Sequence, residues 1–145
     1  MLGNGTHSFL LGTRVTGDLT VTVRVSDGSG HSVQRQCTVT SRYPKFSAMV
    51  QTMSSAALYS DSPMTLIIRS TEYAGDYTVS YTTTSTNCRV SYGGSMLRPD
   101  SPVTLEAGQH IFTANSSYAE RTEFIFTITD IYGQSQQAQA SITWR

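Results

Sequence analysis

The sequence predicts an all-β protein: an immunoglobulin-like antiparallel β-sandwich, with one complete module preceded by the C-terminal strands of another. Three observations carry this. Short segments alternate apolar and polar residues at a period of two, the pattern of strands with one buried face. About seven such segments, broken by turn-forming residues at roughly regular intervals, suit a sandwich. And the end of the chain echoes its beginning. At an offset of 103 positions Leu2 falls on Leu105, Gly5 on Gly108, His7 on His110 and Phe9 on Phe112. Asp27, Gly30, Ser32, Gln34, Gln36, Thr40 and Arg42 then fall on Asp130, Gly133, Ser135, Gln137, Gln139, Thr143 and Arg145. Abundant Ser and Thr could supply a few of these matches, but not paired Asp, Gly, His and Phe in one register. A repeat of this period makes residues 1–42 the last part of an incomplete module, 43–45 a linker, and 46–145 a complete module.

The elements follow in order. Leu19, Val21, Val23 and Val25 alternate with Thr20, Thr22 and Arg24, as in a half-buried strand. In Asp27-Gly-Ser-Gly the Asp can bond local amides and Gly can take positive φ, so the chain turns. A return strand puts Val33, Cys37 and Val39 on one face. Pro44 suits a linker, and Phe46–Gln51 opens the second module. Met53–Tyr59 is the only stretch with the composition of a helical turn, though it is too short for a helix of its own. Met64–Arg69, the alternating Tyr77, Val79 and Tyr81, and Cys88, Val90 and Tyr92 read as further strands. The turn-rich segment 98–110 holds a short strand, and His110–Asn115 leads to the closing hairpin. There Phe124, Phe126 and Ile128 point inward, then Asp130-Ile-Tyr-Gly turns, then Ala138, Ala140, Ile142 and Trp144 return.

Composition excludes several classes. Lys+Arg and Asp+Glu both number 10, so no net field draws the chain to nucleic acid or an anionic membrane. No apolar run approaches the roughly 20 residues that span a bilayer, so direct membrane insertion is not expected. The first residues lack the basic start and apolar core of an export signal. No catalytic, cofactor or metal site is expected. Ser32 beside His31 in "DGSGHS" superficially suggests a nucleophile, but a hydrolase elbow needs a strand-turn-helix context and this is a hairpin tip. Three scattered His without Cys or carboxylate neighbours make a poor zinc site, and one Asp per turn falls short of a calcium shell. Cys37 and Cys88 lie in different modules on apolar strand faces, which favours two buried free thiols over a disulfide.

The pieces Tyr77–Tyr81, Leu97–Pro102, Phe112–Ser117 and Asp130–Gln134 resemble, in order, the conserved-looking strands of the conjugative-transposon TraQ family of Bacteroidetes. The resemblance spans about 46–145, and its end recurs in 1–42. Members of that family carry one such module, whereas this chain carries part of a second. A large surface protein with tandem immunoglobulin-like repeats is the competing resemblance. Either one implies a module of the bacterial cell envelope, periplasmic or surface-exposed, with a structural or protein-binding role and no catalytic residues.

Residues 1–42 supply only the closing strands of a sandwich, so their apolar side chains lack an opposing sheet. Each apolar side chain left in water forfeits about 1.5–3 kcal/mol, and unpaired strand edges invite another chain. Missing strands that precede them are the first expectation; protein contact or self-association through these exposed strands is the alternative, and joining the second module a third. A candidate contact surface is Tyr73, Tyr118 and Tyr132, since exposed aromatic rings stack on sugars and anchor protein interfaces alike.

Overall fold

A computed structural model describes residues 1–145, and all of its regular elements are strands. The chain divides into two compact units, Met1–Tyr43 and Pro44–Arg145.

The first unit is a single antiparallel hairpin of β1 (Gly17–Ser26) and β2 (Ser32–Ser41). Its register sets Leu19 opposite Val39, Val21 opposite Cys37, Val23 opposite Arg35 and Val25 opposite Val33. These pairs share one face, because side chains alternate along a strand. That face is open: Val23, Val25, Val33 and Val39 are all exposed, with Leu19 and Val21 only partly covered. Cys37 therefore departs from expectation. It is a free thiol, but an exposed one, since no second sheet covers the face it sits on.

Residues 1–16 contain no strand, although their counterpart in the repeat, Gly108–Ser116, is a nine-residue one. The reason is non-local. In the second unit that strand is held by ladders on both flanks; in the first unit neither partner exists. Phe9 is accordingly 70% exposed where Phe112 is 1% exposed.

The second unit is a sandwich of two five-stranded sheets. One sheet is formed by β3 (Ser47–Thr52), β5 (Ser62–Arg69), β10 (Gly108–Ser116), β7 (Cys88–Tyr92) and β8 (Ser95–Leu97), side by side in that order. The other runs β4 (Ser55–Ala56), β12 (Ser135–Trp144), β11 (Arg121–Thr129), β6 (Tyr77–Thr83) and β9 (Val103–Leu105). The alternation foreseen for Tyr77–Tyr81 and for the closing hairpin holds, whereas β5 buries Ile67 as well as Met64, Leu66 and Ile68. Met64, Leu66 and Ile68 of β5 face Phe124, Phe126 and Ile128 of β11 across one core with Phe112 and Trp144. Phe112 and Phe126 meet edge-on at 5.0 Å between ring centroids, so the largest side chains of the two sheets interlock.

Met53–Tyr59 makes no helical turn. The chain crosses here from one sheet to the other, and β4 pairs in parallel with the end of β12. Its backbone groups are taken up by the C-terminal strand: Thr143 N donates to Ser54 O at 2.9 Å and Arg145 N to Ala56 O at 3.0 Å. A helix would have to withdraw those groups from the ladder.

The two units predict opposite responses at equivalent positions. Phe126→Ala should lower the unfolding free energy of the second unit by about 3–5 kcal/mol, the usual cost of emptying an aromatic site in a core. Val23→Ala, its counterpart on the open face, should change unfolding of the chain by less than about 0.5 kcal/mol. Chemical denaturation of both variants, followed by circular dichroism and Trp144 fluorescence, checks the pair.

Candidate functional site

The repeat in sequence is also a repeat in geometry. Partners in β11–β12, such as Phe124 with Ala140 and Phe126 with Ala138, map at the same offset onto Val21 with Cys37 and Val23 with Arg35. The turns match bond for bond. Asp27 Oδ1 accepts from the backbone N–H of Ser29 and His31, both at 2.9 Å. Asp130 Oδ1 accepts from Tyr132 and Gln134 at the same distance. Gly30 and Gly133 take φ of 88° and 83°, which only glycine adopts without strain. Even outside the hairpins, His7 Nε2 lies 2.7 Å from Gly3 O as His110 Nε2 lies 2.8 Å from Glu106 O. Local hydrogen bonding persists where the strand around it does not.

At the turn tips the units differ. Gln134 Nε2 donates to Asp130 Oδ2 at 2.7 Å and also to the carbonyl of Pro44 at 3.0 Å. Lys45 is held on both sides: its N–H donates to Glu72 Oε2 at 2.9 Å, and its carbonyl accepts from Ser70 Oγ at 3.0 Å. The entrance of the second unit is thus fastened to its own loops. Around it Phe46, Tyr77, Tyr73 and Tyr132 form a chain of ring contacts at 4.9, 5.6 and 5.9 Å. Gly75 makes room for the Tyr73 ring, which lies where a Cβ at that position would be.

Of the three tyrosines singled out in the sequence, the structure brings Tyr73 and Tyr132 together. Tyr118 is exposed in the connection between β10 and β11. Tyr132 follows the far end of β11, so Tyr118 and Tyr132 lie at opposite ends of that nine-residue strand. Sequence reasoning missed Phe46 and Gln134 as parts of this corner. Gln134 carried a signal, since it replaces His31 in the otherwise matching turn. Beside the corner an open concavity of about 660 Å³ is lined by Phe46 and Ile68, flanked by Lys45 and Arg69.

The groups that could do chemistry are placed otherwise. His31 Nδ1 pairs with Asp27 Oδ2 at 3.0 Å across the turn, while Ser32 Oγ accepts from Arg24 at 3.3 Å. That is a strand-turn-strand tip, without the helix a nucleophile elbow requires. No three His, Cys, Asp or Glu side chains come together as a metal-binding group. Cys88 is buried, and desolvation pushes its thiol up to about 11, so it is scarcely thiolate at neutral pH. No helix is long and apolar enough to cross a membrane.

No protein-family model matches the chain, and no curated protein matches it. Solved structures do. One is a conjugative transposon lipoprotein from Bacteroides eggerthii: TM-score 0.61, 15% identity, 70% of this chain and 98% of that one covered. Another is a lipoprotein from Bacteroides thetaiotaomicron: TM-score 0.59, 16% identity, 72% of this chain and 83% of that one covered. At such identities the likeness concerns the fold, and the fold is an immunoglobulin-like β-sandwich.

Two measurements follow from the geometry. The His31 N–H donated to its carboxylate holds Asp27 below the ordinary value of 3.8. A depressed carboxylate stabilises the fold above its unfolded value and loses that contribution as pH falls through the folded one. Nuclear magnetic resonance should therefore show the Ser29 and His31 amides shifting together below pH 3.8, and Asp27→Asn should abolish that shared transition. An aromatic disulfide reagent at pH 8 should label Cys37 quickly and Cys88 only on unfolding; equal rates would contradict the burial seen here.

Proposed function

We propose that the chain is a non-catalytic structural or protein-binding part of the bacterial cell envelope, built from tandem immunoglobulin-like modules. Residues 1–42 are then the C-terminal part of one module, 43–45 the linker and 46–145 a complete second module. The observation that carries this is the recurrence, at one offset, of strand register, Asp-capped turn and glycine conformation. The exposed strands of residues 1–42 are where it takes up further protein, from a partner, a second copy or a module of its own polypeptide. Accessory service in conjugative-transposon transfer is supported by the TraQ-like motifs and by the fold shared with a conjugative transposon lipoprotein.

A second reading, a spacer or glycan-binding repeat of a large surface protein, is favoured by the aromatic corner of Tyr73 and Tyr132. Tyr118 would have to act apart from it. The two readings separate by experiment. Protease treatment of intact producing cells, followed by fractionation, should recover the chain with the envelope; recovery in the cytosol would overturn both. Binding to immobilised polysaccharides should then be absent, or unaffected by Tyr73→Ala with Tyr132→Ala. Binding that those changes remove would select the glycan-binding repeat.

A further inference from the structure

The first hairpin shows what should cover it, because its counterpart is covered. In the second unit the core-facing residues of β11 and β12 lie under the sheet containing β5, β10 and β7, and β11 pairs along Phe124–Thr129 with β6. At the same offset that edge is Val21–Ser26 of β1, which pairs with β2 alone. The face itself is not a copy. Phe124, Phe126, Ile128 and Trp144 are replaced by the smaller Val21, Val23, Val25 and Ser41, a loss of volume that Leu19 in place of Thr122 and Cys37 in place of Ala140 offset only in part. Ala138, buried in the second unit at 4% exposure, is replaced by Arg35, opposite Val23 in the middle of the face.

We infer that this face is covered by the front strands of a sibling module on the same polypeptide, whose inward side chains are bulkier than those of the second unit and include a carboxylate opposite Arg35. This rests on the tandem-module reading and adds the chemistry of the partner. Close packing requires that volume lost on one sheet be restored on the other. A guanidinium in a covered face requires an acid or several acceptors to meet it. The inward residues of the second unit's own sheet, such as Ala48, Val50, Met64, Leu66, Val90 and Phe112, include no Asp or Glu, so that sheet is not the natural cover. A second copy fits poorly as well. Its strands are already paired in its own sandwich, and packing two hairpin faces together would bring two Arg35 side chains into one dry interface.

The test uses Cys37 as a reporter on the face and Cys88 as an internal control. Residues 44–104, carrying Cys88→Ala so that no third thiol is added, are grafted ahead of Leu2 of the full chain, which by the repeat offset completes the first module. The graft is made with Arg35 and with Arg35→Ala. Cys37 labelling should slow by about tenfold or more in the Arg35→Ala graft, with β1–β2 amides protected from exchange, and by less with Arg35 retained. Labelling of Cys37 at the ungrafted rate, with the hairpin amides nonetheless protected, would overturn the covered face while leaving tandem modules standing. No change in either readout would remove the tandem reading itself. Labelling of the ungrafted chain that slows as its concentration rises, with a dimer in light scattering, would assign the face to a second copy instead. Equal slowing with and without Arg35 would remove the carboxylate from the inference.

Discussion

A β-hairpin can set its own register, but it cannot bury its own apolar face. The rest of this chain depends on that asymmetry. Within each hairpin the Asp carboxylate accepts two backbone N–H groups and a glycine takes positive φ, so the turn fixes which residues pair. These interactions span a few residues and need nothing from elsewhere. Burial needs a second sheet about 10 Å away, whose strands come from distant positions in the chain. The second unit supplies that sheet and the first does not. Hence the same pattern yields a fully buried Phe126 in one place and an exposed Val23 in the other.

What could be read from the sequence follows the same division. Both hairpins were legible because alternation and turn chemistry are local, and the inward faces of β6, β11 and β12 emerged as expected. Features set by distant partners were not legible. Cys37 has the neighbours of a buried residue along its strand, yet exposure depends on a sheet that its strand cannot specify. Residues 5–13 carry the Gly, His and Phe of β10, but a strand between two ladders does not form without the ladders. Met53–Tyr59 looked helical because Ala and Met favour helices, whereas the C-terminal strand claims its backbone groups. The short strands β4 and β8 have two or three residues each, too few for any periodicity to show, while β9 is the short strand expected within 98–110.

The candidate surface was legible only in part. Tyr73 and Tyr132 are far apart in sequence and meet because β6, just after Tyr73, starts beside the end of β11, with Thr78 opposite Thr129. No pattern in the sequence distinguishes Tyr132 from Tyr118; both sit in turns flanking the same strand, and only its length separates them. Phe46 joined the cluster through its place beside a fastened linker residue, Lys45, whose N–H donates to Glu72 and whose carbonyl accepts from Ser70.

The substitution at the turn tip separates what the fold demands from what the module entrance demands. Asp, its Oδ1 bonds and the following Gly are common to both turns, and they are the parts that set hairpin register. The next position is Gln134 in one and His31 in the other. A Gln side chain has two amide hydrogens, and Gln134 directs one to Asp130 and one to Pro44. A neutral imidazole has a single N–H, and His31 directs its Nδ1 to Asp27. The exchange keeps the bond that closes the turn and removes the second amide donor. Within one repeated element, then, closing the hairpin has been held fixed while the means of gripping an incoming linker has been allowed to change. The turn closes by bonds within itself, whereas the grip reaches across to the chain entering the unit.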